Sequence, residues 1–174
     1  MPLRLELDRE YTIYKDRLYP KRSSSAHPFR YNVAIGIGGN IGDVKRRFNH
    51  LWHYINRLSY MKIIESGVIL HNPPFGFLKQ NYFDNSVIVV ATSLEPRAFL
   101  RRLHMIESHF GRERAFENSP RTLDLDIIFF DNRNIKTKDL IVPHKDYKSR
   151  ASVMIPLRSL RYLKKWRPNE NFNI

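Results

Sequence analysis

Two stretches of helical period, set among four β-prone apolar runs, do most to limit what this chain can fold into. "YNVAIGIGG" (31–39) is the first apolar run. Asp43 stands where a helix N-cap is needed, and Val44, Phe48, Leu51, Ile55 and Leu58 follow at spacings of three and four, which makes one buried stripe. "MKIIESGVIL" (61–70) returns as a strand, "HNPPFGFLKQN" (71–81) is a loop, and "YFDNSVIVVAT" (82–92) is the third strand. Pro96 suits the first turn of a second helix, whose stripe is Phe99, Leu103, Ile106 and Phe110, with Gly111 as its stop. "RTLDLDIIFFD" (121–131) is the fourth strand, "NRNIKTKDLIVPH" (132–144) reads as an edge hairpin, and the segment after it ends in a short helix.

The order β-α-β-β-α-β is the ferredoxin-like split βαβ pattern. It predicts an α+β fold with a four-stranded antiparallel sheet and both long helices on one face. The edge hairpin and the short helix are C-terminal additions, and the opposite face is left to loops or ligand. Residues 1–30 carry charges of alternating sign and the breaker-rich "PKRSSSAHP", so they read as an N-terminal extension to a domain spanning 31–174.

A net charge of +13 over 174 residues implies a polyanionic ligand: nucleic acid, an acidic membrane surface or a phosphate-rich small molecule. The absence of cysteine excludes disulfides and thiolate metal sites. No apolar run approaches membrane-spanning length, and the N-terminus lacks the apolar centre of a secretion signal. The expectation is a cytoplasmic monomer without a membrane partner.

The fourth strand poses the chemical question. Asp124 and Asp126 interrupt an otherwise apolar run, and alternation puts them on one face, about 6.7 Å apart along the strand. Two carboxylates that close repel each other, and burial costs each its hydration. Arginines could compensate them, as a structural ion network. So could a hard cation such as Mg²⁺, which takes oxygen ligands from one or two carboxylates plus substrate phosphates. Arg112, Arg114 and Arg121 flank the strand on one side, and His144 and Arg150 follow it, more basic groups than two acids require. Arginine grips phosphate oxygens bidentately and is always charged. "IGIGGNIGD" does not fit the dinucleotide fingerprint, and there is no G-x-x-x-x-G-K-[ST] loop, so a nucleotide would be held without a P-loop.

"PRTLDLDI", preceded by "IESHFGRER" and followed by "VPHKDYKSR", resembles the 6-hydroxymethyl-7,8-dihydropterin pyrophosphokinases of folate biosynthesis. "GGNIGD" is similar to that family's Gly-Ser-Asn-x-Gly-Asp opening, "NPPFG" to its pterin loop and "FDN" to its Phe-x-Asn, all in family order from about residue 32 to 160. The resemblance implies diphosphate transfer from ATP to the pterin hydroxymethyl group, with release of AMP. It implies that Asp124 and Asp126 hold two Mg²⁺ ions, and that Arg112 and Arg121 bind phosphate, with Arg114 a weaker match. His104, Glu107, His144 and Arg150 match ATP contacts. Asn72, Pro73 and Phe75 match the pterin loop, and Phe83 and Asn85 its stacking aromatic and amide. This chain departs from the family in having Gly39 for serine, Ser119 for a smaller residue and Ser152 for the phenylalanine that closes the second side of the pterin.

Two other readings compete with this one. A ferredoxin-like RNA-binding module would suit the charge, but the R-G-F/Y-G/A-F-type strand motif is absent and the aspartate pair would repel a phosphate backbone, so no nucleic-acid partner is expected. A catalytically lapsed homologue is opposed by the intact aspartates and arginines.

Overall fold

Asp43 begins the first helix as its position predicts: its carboxylate accepts the Arg46 N–H at 3.0 Å. A computed structural model describes residues 2–24, 26–113 and 115–165. The strands are β1 (Leu3–Glu6), β2 (Thr12–Lys15), β3 (Lys21–Arg22), β4 (Tyr31–Gly39), β5 (Met61–Ser66), β6 (Ile69–Asn72), β7 (Phe83–Thr92), β8 (Asp124–Phe130), β9 (Ile135–Lys136) and β10 (Ile141–Val142). The helices are α1 (Val44–Arg57), α2 (Pro96–His109) and α3 (Ala151–Arg158). Pro96 sits in the first turn of α2, and Gly111, at φ +78°, ends it while the Arg112 N–H closes back on the Glu107 carbonyl.

The protein is α+β, and the strand pairings are antiparallel among the described residues. Along the sheet β8 pairs β4, β4 pairs β7, and β7 pairs both β5 and β6. The sheet has eight strands, where the sequence predicted four. One cause is that residues 61–70 do not form a single strand. The run breaks after Ser66 and resumes at Ile69, so β5 and β6 pair successive halves of β7. At the break a Cβ on Gly67 would meet the Pro156 carbonyl oxygen at 2.6 Å, so only glycine lets α3 settle there. The other cause is the N-terminus: β2 pairs β6, β1 pairs β2, and β3 pairs β5. The expected edge hairpin forms as β9 and β10, a small sheet of its own.

The first core lies between the sheet and α1 and α2. Val33, Ile35, Ile37, Ile88, Val90, Leu125 and Ile127 meet the predicted helix stripes there. On the opposite face Ala34, Val87, Val89, Ile128 and Phe129 pack against Leu157 and Leu160, from α3 and the turn after it. A register shift where β8 passes Ala34 and Ile35 lets Ile128 and Phe129, neighbours in sequence, both face that way. The second face is therefore covered at one end only. The end carrying Gly36, Gly38, Asp124 and Asp126 opens into a cleft.

The N-terminal residues enter the first core as well. Tyr19 is fully buried against Phe48 and Trp52, and its hydroxyl donates to the Phe48 carbonyl at 2.9 Å. Tyr19→Ala is expected to cost about 3–5 kcal/mol, the range for emptying a large aromatic site. Urea unfolding measures it, and a loss under about 1 kcal/mol would mean that this segment merely rests on the domain.

Candidate active site

Asp124 and Asp126 open β8, and Gly38 and Gly36 of β4 lie opposite them in the pairing. No side chain on β4 therefore covers the carboxylates. Gly39 is equally tight: a Cβ there would stand 2.5 Å from the Thr122 carbonyl oxygen. The family's usual serine would thus force residues 39 and 122 apart, so the glycine suits this chain's closer approach.

The two carboxylates have different surroundings. Asp124 is clamped by arginines: Arg112 Nη1 donates to its Oδ1, and Arg121 Nη1 donates to its Oδ2 at 3.0 Å. Arg112 Nη1 also donates to Glu107 Oε1 at 2.6 Å, and the same oxygen accepts the Leu125 N–H at 2.8 Å. Burial works against the Arg112 charge, but Asp124 and Glu107 hold the guanidinium above its ordinary range. The Asp126 carboxylate has no hydrogen bond or ion pair among the described residues. Burial, then the charges of Asp124 and Glu107, push its carboxyl up to about 7. Arginine pairing thus satisfies one aspartate and leaves the other short of positive charge.

Two hollows meet at this pair. One, of about 430 Å³, is lined by Asn72, Phe75, Phe83, Asn85, Arg150 and Ser152. The other, of about 320 Å³, is lined by Leu100, His104, Glu107 and the hairpin residues Lys138 to Ile141. Arg112, Asp124, Asp126, His144 and Lys145 belong to both.

The structure gathers most of the sequence-predicted residues here. Asn85 donates to Asn72 Oδ1 at 2.7 Å, and Asn72 donates to the Pro73 carbonyl at 2.8 Å. Pro73 itself is absent from the lining. Phe83 is buried beneath the Arg121 guanidinium, 5.2 Å from ring centre, whereas Phe75 is 69% exposed with Arg150 at 5.1 Å. Arg121 and Arg150 each keep a buried Nε–H with no partner among the described residues. His144 Nδ1 accepts the Asp146 N–H at 3.2 Å, and burial and then Arg150 lower its pKa, so the neutral ring carries its proton on Nε2. Glu107 borders its hollow but is only 3% exposed, spent on Arg112 and the β8 backbone. Arg114 lies outside the described residues.

Sequence reasoning missed Lys145 and the work of Asn40. Lys145 adjoins His144 in the basic run "VPHKDYKSR", which was the available signal. Asn40 was visible only as part of "GGNIGD". It is buried, takes the Arg121 N–H on Oδ1 at 2.9 Å, and donates from Nδ2 to Gln80 Oε1 at 2.9 Å and to the Asn81 carbonyl at 3.1 Å. Gln80 in turn donates to the Asn118 carbonyl at 2.9 Å, and the Phe77 and Phe116 rings meet edge to face. One amide thus ties the loop after β6 to the loop before β8.

The described residues include no helix long and apolar enough to cross a membrane. A family model described as 7,8-dihydro-6-hydroxymethylpterin-pyrophosphokinase matches residues 34–162. The chain is 40% identical over 143 residues to a Campylobacter jejuni protein named 2-amino-4-hydroxy-6-hydroxymethyldihydropteridine pyrophosphokinase, covering 82% of this chain and 91% of that one. A Helicobacter pylori protein of the same name is 36% identical over 147 residues, 83% of this chain and 90% of its own. A Bacillus subtilis protein of that name is 34% identical over 130 residues, 74% and 78% of the two chains. On these matches, with the paired aspartates and arginines at the meeting of two hollows, the chain belongs to the 7,8-dihydro-6-hydroxymethylpterin-pyrophosphokinase family.

Proposed function

We infer that this chain transfers diphosphate from ATP to the hydroxymethyl group of 6-hydroxymethyl-7,8-dihydropterin, releasing AMP, as a step of folate biosynthesis. The observation that carries the reading is the meeting of the two hollows at Asp124 and Asp126. The hollow with Phe83, Asn72, Asn85 and Phe75 takes the flat, polar-edged pterin. The hollow with His104, His144 and the β9–β10 hairpin takes ATP. The catalytic unit spans 31–174, with 1–30 as its extension. Its ferredoxin-like reading rests on the β8-β4-β7-β5 order with α1 and α2 on one face.

Asp124 and Asp126 fit magnesium. They offer only oxygen, and Asp126 lacks a positive partner that would compete for it among the described residues. Magnesium binds through one or two carboxylates and completes its shell with substrate phosphates and water. We assign two Mg²⁺ to this pair. When bound, the metal neutralises charge on the phosphates and aligns the attacking and leaving oxygens.

The chain's own residues do the positioning. The pterin hydroxyl oxygen forms a bond to the β-phosphorus, the bond from that phosphorus to the α,β-bridging oxygen breaks, and the hydroxyl proton leaves to solvent. Arg121 and Arg150, which line the hollow beside the aspartates, offer their guanidinium groups to the phosphates. Arg112 holds Asp124 in place through its link to Glu107. Such transfer asks the protein mainly for alignment and charge. The test is direct: purified protein with ATP, Mg²⁺ and the dihydropterin should release AMP and pterin diphosphate in equal amounts, and no AMP above the pterin-free control would overturn the reading.

Ser152 lines the pterin hollow opposite no second buried ring in that lining. Ser152→Phe is therefore expected to tighten pterin binding by up to roughly tenfold, the worth of one aromatic contact. Calorimetric titration with a non-hydrolysable ATP analogue and Mg²⁺ measures it. Unchanged binding would mean that Phe75, exposed in the free chain, already closes that side.

A further inference from the structure

The sheet ends at β1, whose outer edge has no strand partner among the described residues. Every residue of β1 is exposed. Its sequence with the next residue, "LRLEL" (3–7), reads the same in both directions in apolar pattern and inverts in charge: leucine at both ends and in the middle, Arg4 and Glu6 between. Leu3, Leu5 and Leu7 share one face and are 58%, 51% and 46% exposed.

The hydrogen-bond phase of the edge is also fixed. The Leu7 N–H donates inward to the Tyr11 carbonyl at 2.9 Å. Backbone groups alternate in direction along an antiparallel strand, so Leu3, Leu5 and Leu7 point their N–H and C=O groups toward β2. Arg4 and Glu6 point theirs outward, without a strand partner among the described residues, and their side chains pair with each other at 2.7 Å. An open edge of this kind is a template for another strand.

We propose that β1 is a dimerisation edge, through which two copies of this chain pair antiparallel about a two-fold axis at Leu5. That register is the one the pattern satisfies throughout. Arg4 faces Glu6 of the second copy, and each such pair exchanges both outward N–H···O=C bonds. The side chains facing each other there are of opposite charge, a favourable cross-strand pair. Leu5 meets Leu5 of the second copy as the closer, non-hydrogen-bonded pair, and Leu3 meets Leu7. The apolar stripe thus continues across the axis. A slip by one residue to either side loses the charge match and sets leucine against arginine or glutamate. The interface is isologous, so it closes at two copies and propagates no further. The monomer expected from sequence becomes a concentration-dependent dimer.

A strand this short buries less than the about 1,000 Å² of a stable interface, so the dimer should be weak, with Kd on the order of 10–100 µM. Sedimentation equilibrium of the whole chain from about 5 to 500 µM spans that range and should show the mass rising from monomer to dimer. Arg4→Glu places like charges across both pairs and should raise Kd at least about tenfold, as should Glu6→Arg. The double exchange, Arg4→Glu with Glu6→Arg, restores every pairing and should return Kd to within about threefold of wild type. Both positions are exposed, so circular dichroism should report an unchanged fold. A chain that stays monomeric at the highest concentration overturns the proposal. So does a single variant that dimerises like wild type, or a double exchange that fails to restore what the single changes lost.

Discussion

Asp126→Asn should abolish turnover and at the same time stabilise the ligand-free protein above neutral pH. The two effects have one cause. Burial and the neighbouring carboxylates push the Asp126 carboxyl up to about 7 in the folded chain, against an ordinary 3.8. Below the ordinary value both folded and unfolded states hold the proton, and the group adds no pH dependence. Between 3.8 and about 7 the unfolded chain ionises first, so stability falls as pH rises. Above about 7 the penalty is complete. Asparagine removes it. Because the carboxyl lines an open cleft whose water screens its charge, the gain at pH 8 should be about 1–2 kcal/mol, a Tm rise of roughly 3–8 °C that disappears below about pH 4. Activity moves the other way: losing one of the two carboxylates proposed to hold Mg²⁺ should lower kcat by roughly 10³-fold or more. Magnesium should also stabilise the wild type more at pH 8 than at pH 6, because at the lower pH it must displace the Asp126 proton. Thermal melts and steady-state assays across pH read all three. Wild-type turnover by Asp126→Asn would show that this carboxylate holds no essential metal, and no rise in its Tm at pH 8 would show that its charge carries no burial penalty.

Arg112 and Arg121 both hold Asp124, yet their alanine variants should fail differently. Arg112 Nη1 stands 2.6 Å from Glu107 Oε1, and the Glu107 side chain is 3% exposed. Arg112→Ala leaves that carboxylate buried with the Leu125 N–H and no compensating charge from Arg112. Breaking a buried pair from one side costs about 3–5 kcal/mol, so the variant should be strongly destabilised as well as slow, with kcat/KM down roughly 10²–10³-fold. Arg112→Met combined with Glu107→Gln should recover most of the stability and none of the activity, because both charges go together. Arg121 bonds Asp124 and stacks over Phe83 without a buried acid that depends on it alone. Arg121→Ala should therefore lose activity by a similar factor at a cost of about 1 kcal/mol, and Arg121→Lys should restore it only in part. Equal unfolding midpoints for Arg112→Ala and wild type would show that Glu107 does not rely on the guanidinium.

The chemistry of the site was largely written in local pattern. Period and punctuation placed α1, α2 and their stripes, and the start of α1 at Asp43 and the stop of α2 at Gly111 are where those residues predicted. Alternation put Asp124 and Asp126 on one face, and residue chemistry named arginine or magnesium as their partners. Both are properties of neighbours a few residues apart, which a sequence states directly. What it left open was which aspartate the arginines hold. That depends on Arg112 reaching Asp124 from beyond α2 and on Glu107 rising beneath β8, contacts that no spacing encodes.

The larger departures have the same physical origin. Residues 61–70 carry β-forming side chains throughout, and nothing local marks Gly67 as the place where α3 must approach the backbone. Residues 3–22 lack a long apolar run, yet β2 finds β6 and Tyr19 fills a space between Phe48 and Trp52. Asn40 is one polar residue in a glycine-rich turn until folding brings Gln80 and Arg121 to it. The sequence by itself determined the two long helices, their buried stripes, the shared face of Asp124 and Asp126 and the residue types able to do the chemistry, because backbone geometry and side-chain chemistry are local. Only the tertiary structure decided how many strands the sheet holds, which carboxylate is left short of positive charge and how the two hollows meet, because those follow from burial and pairing between segments far apart in the chain.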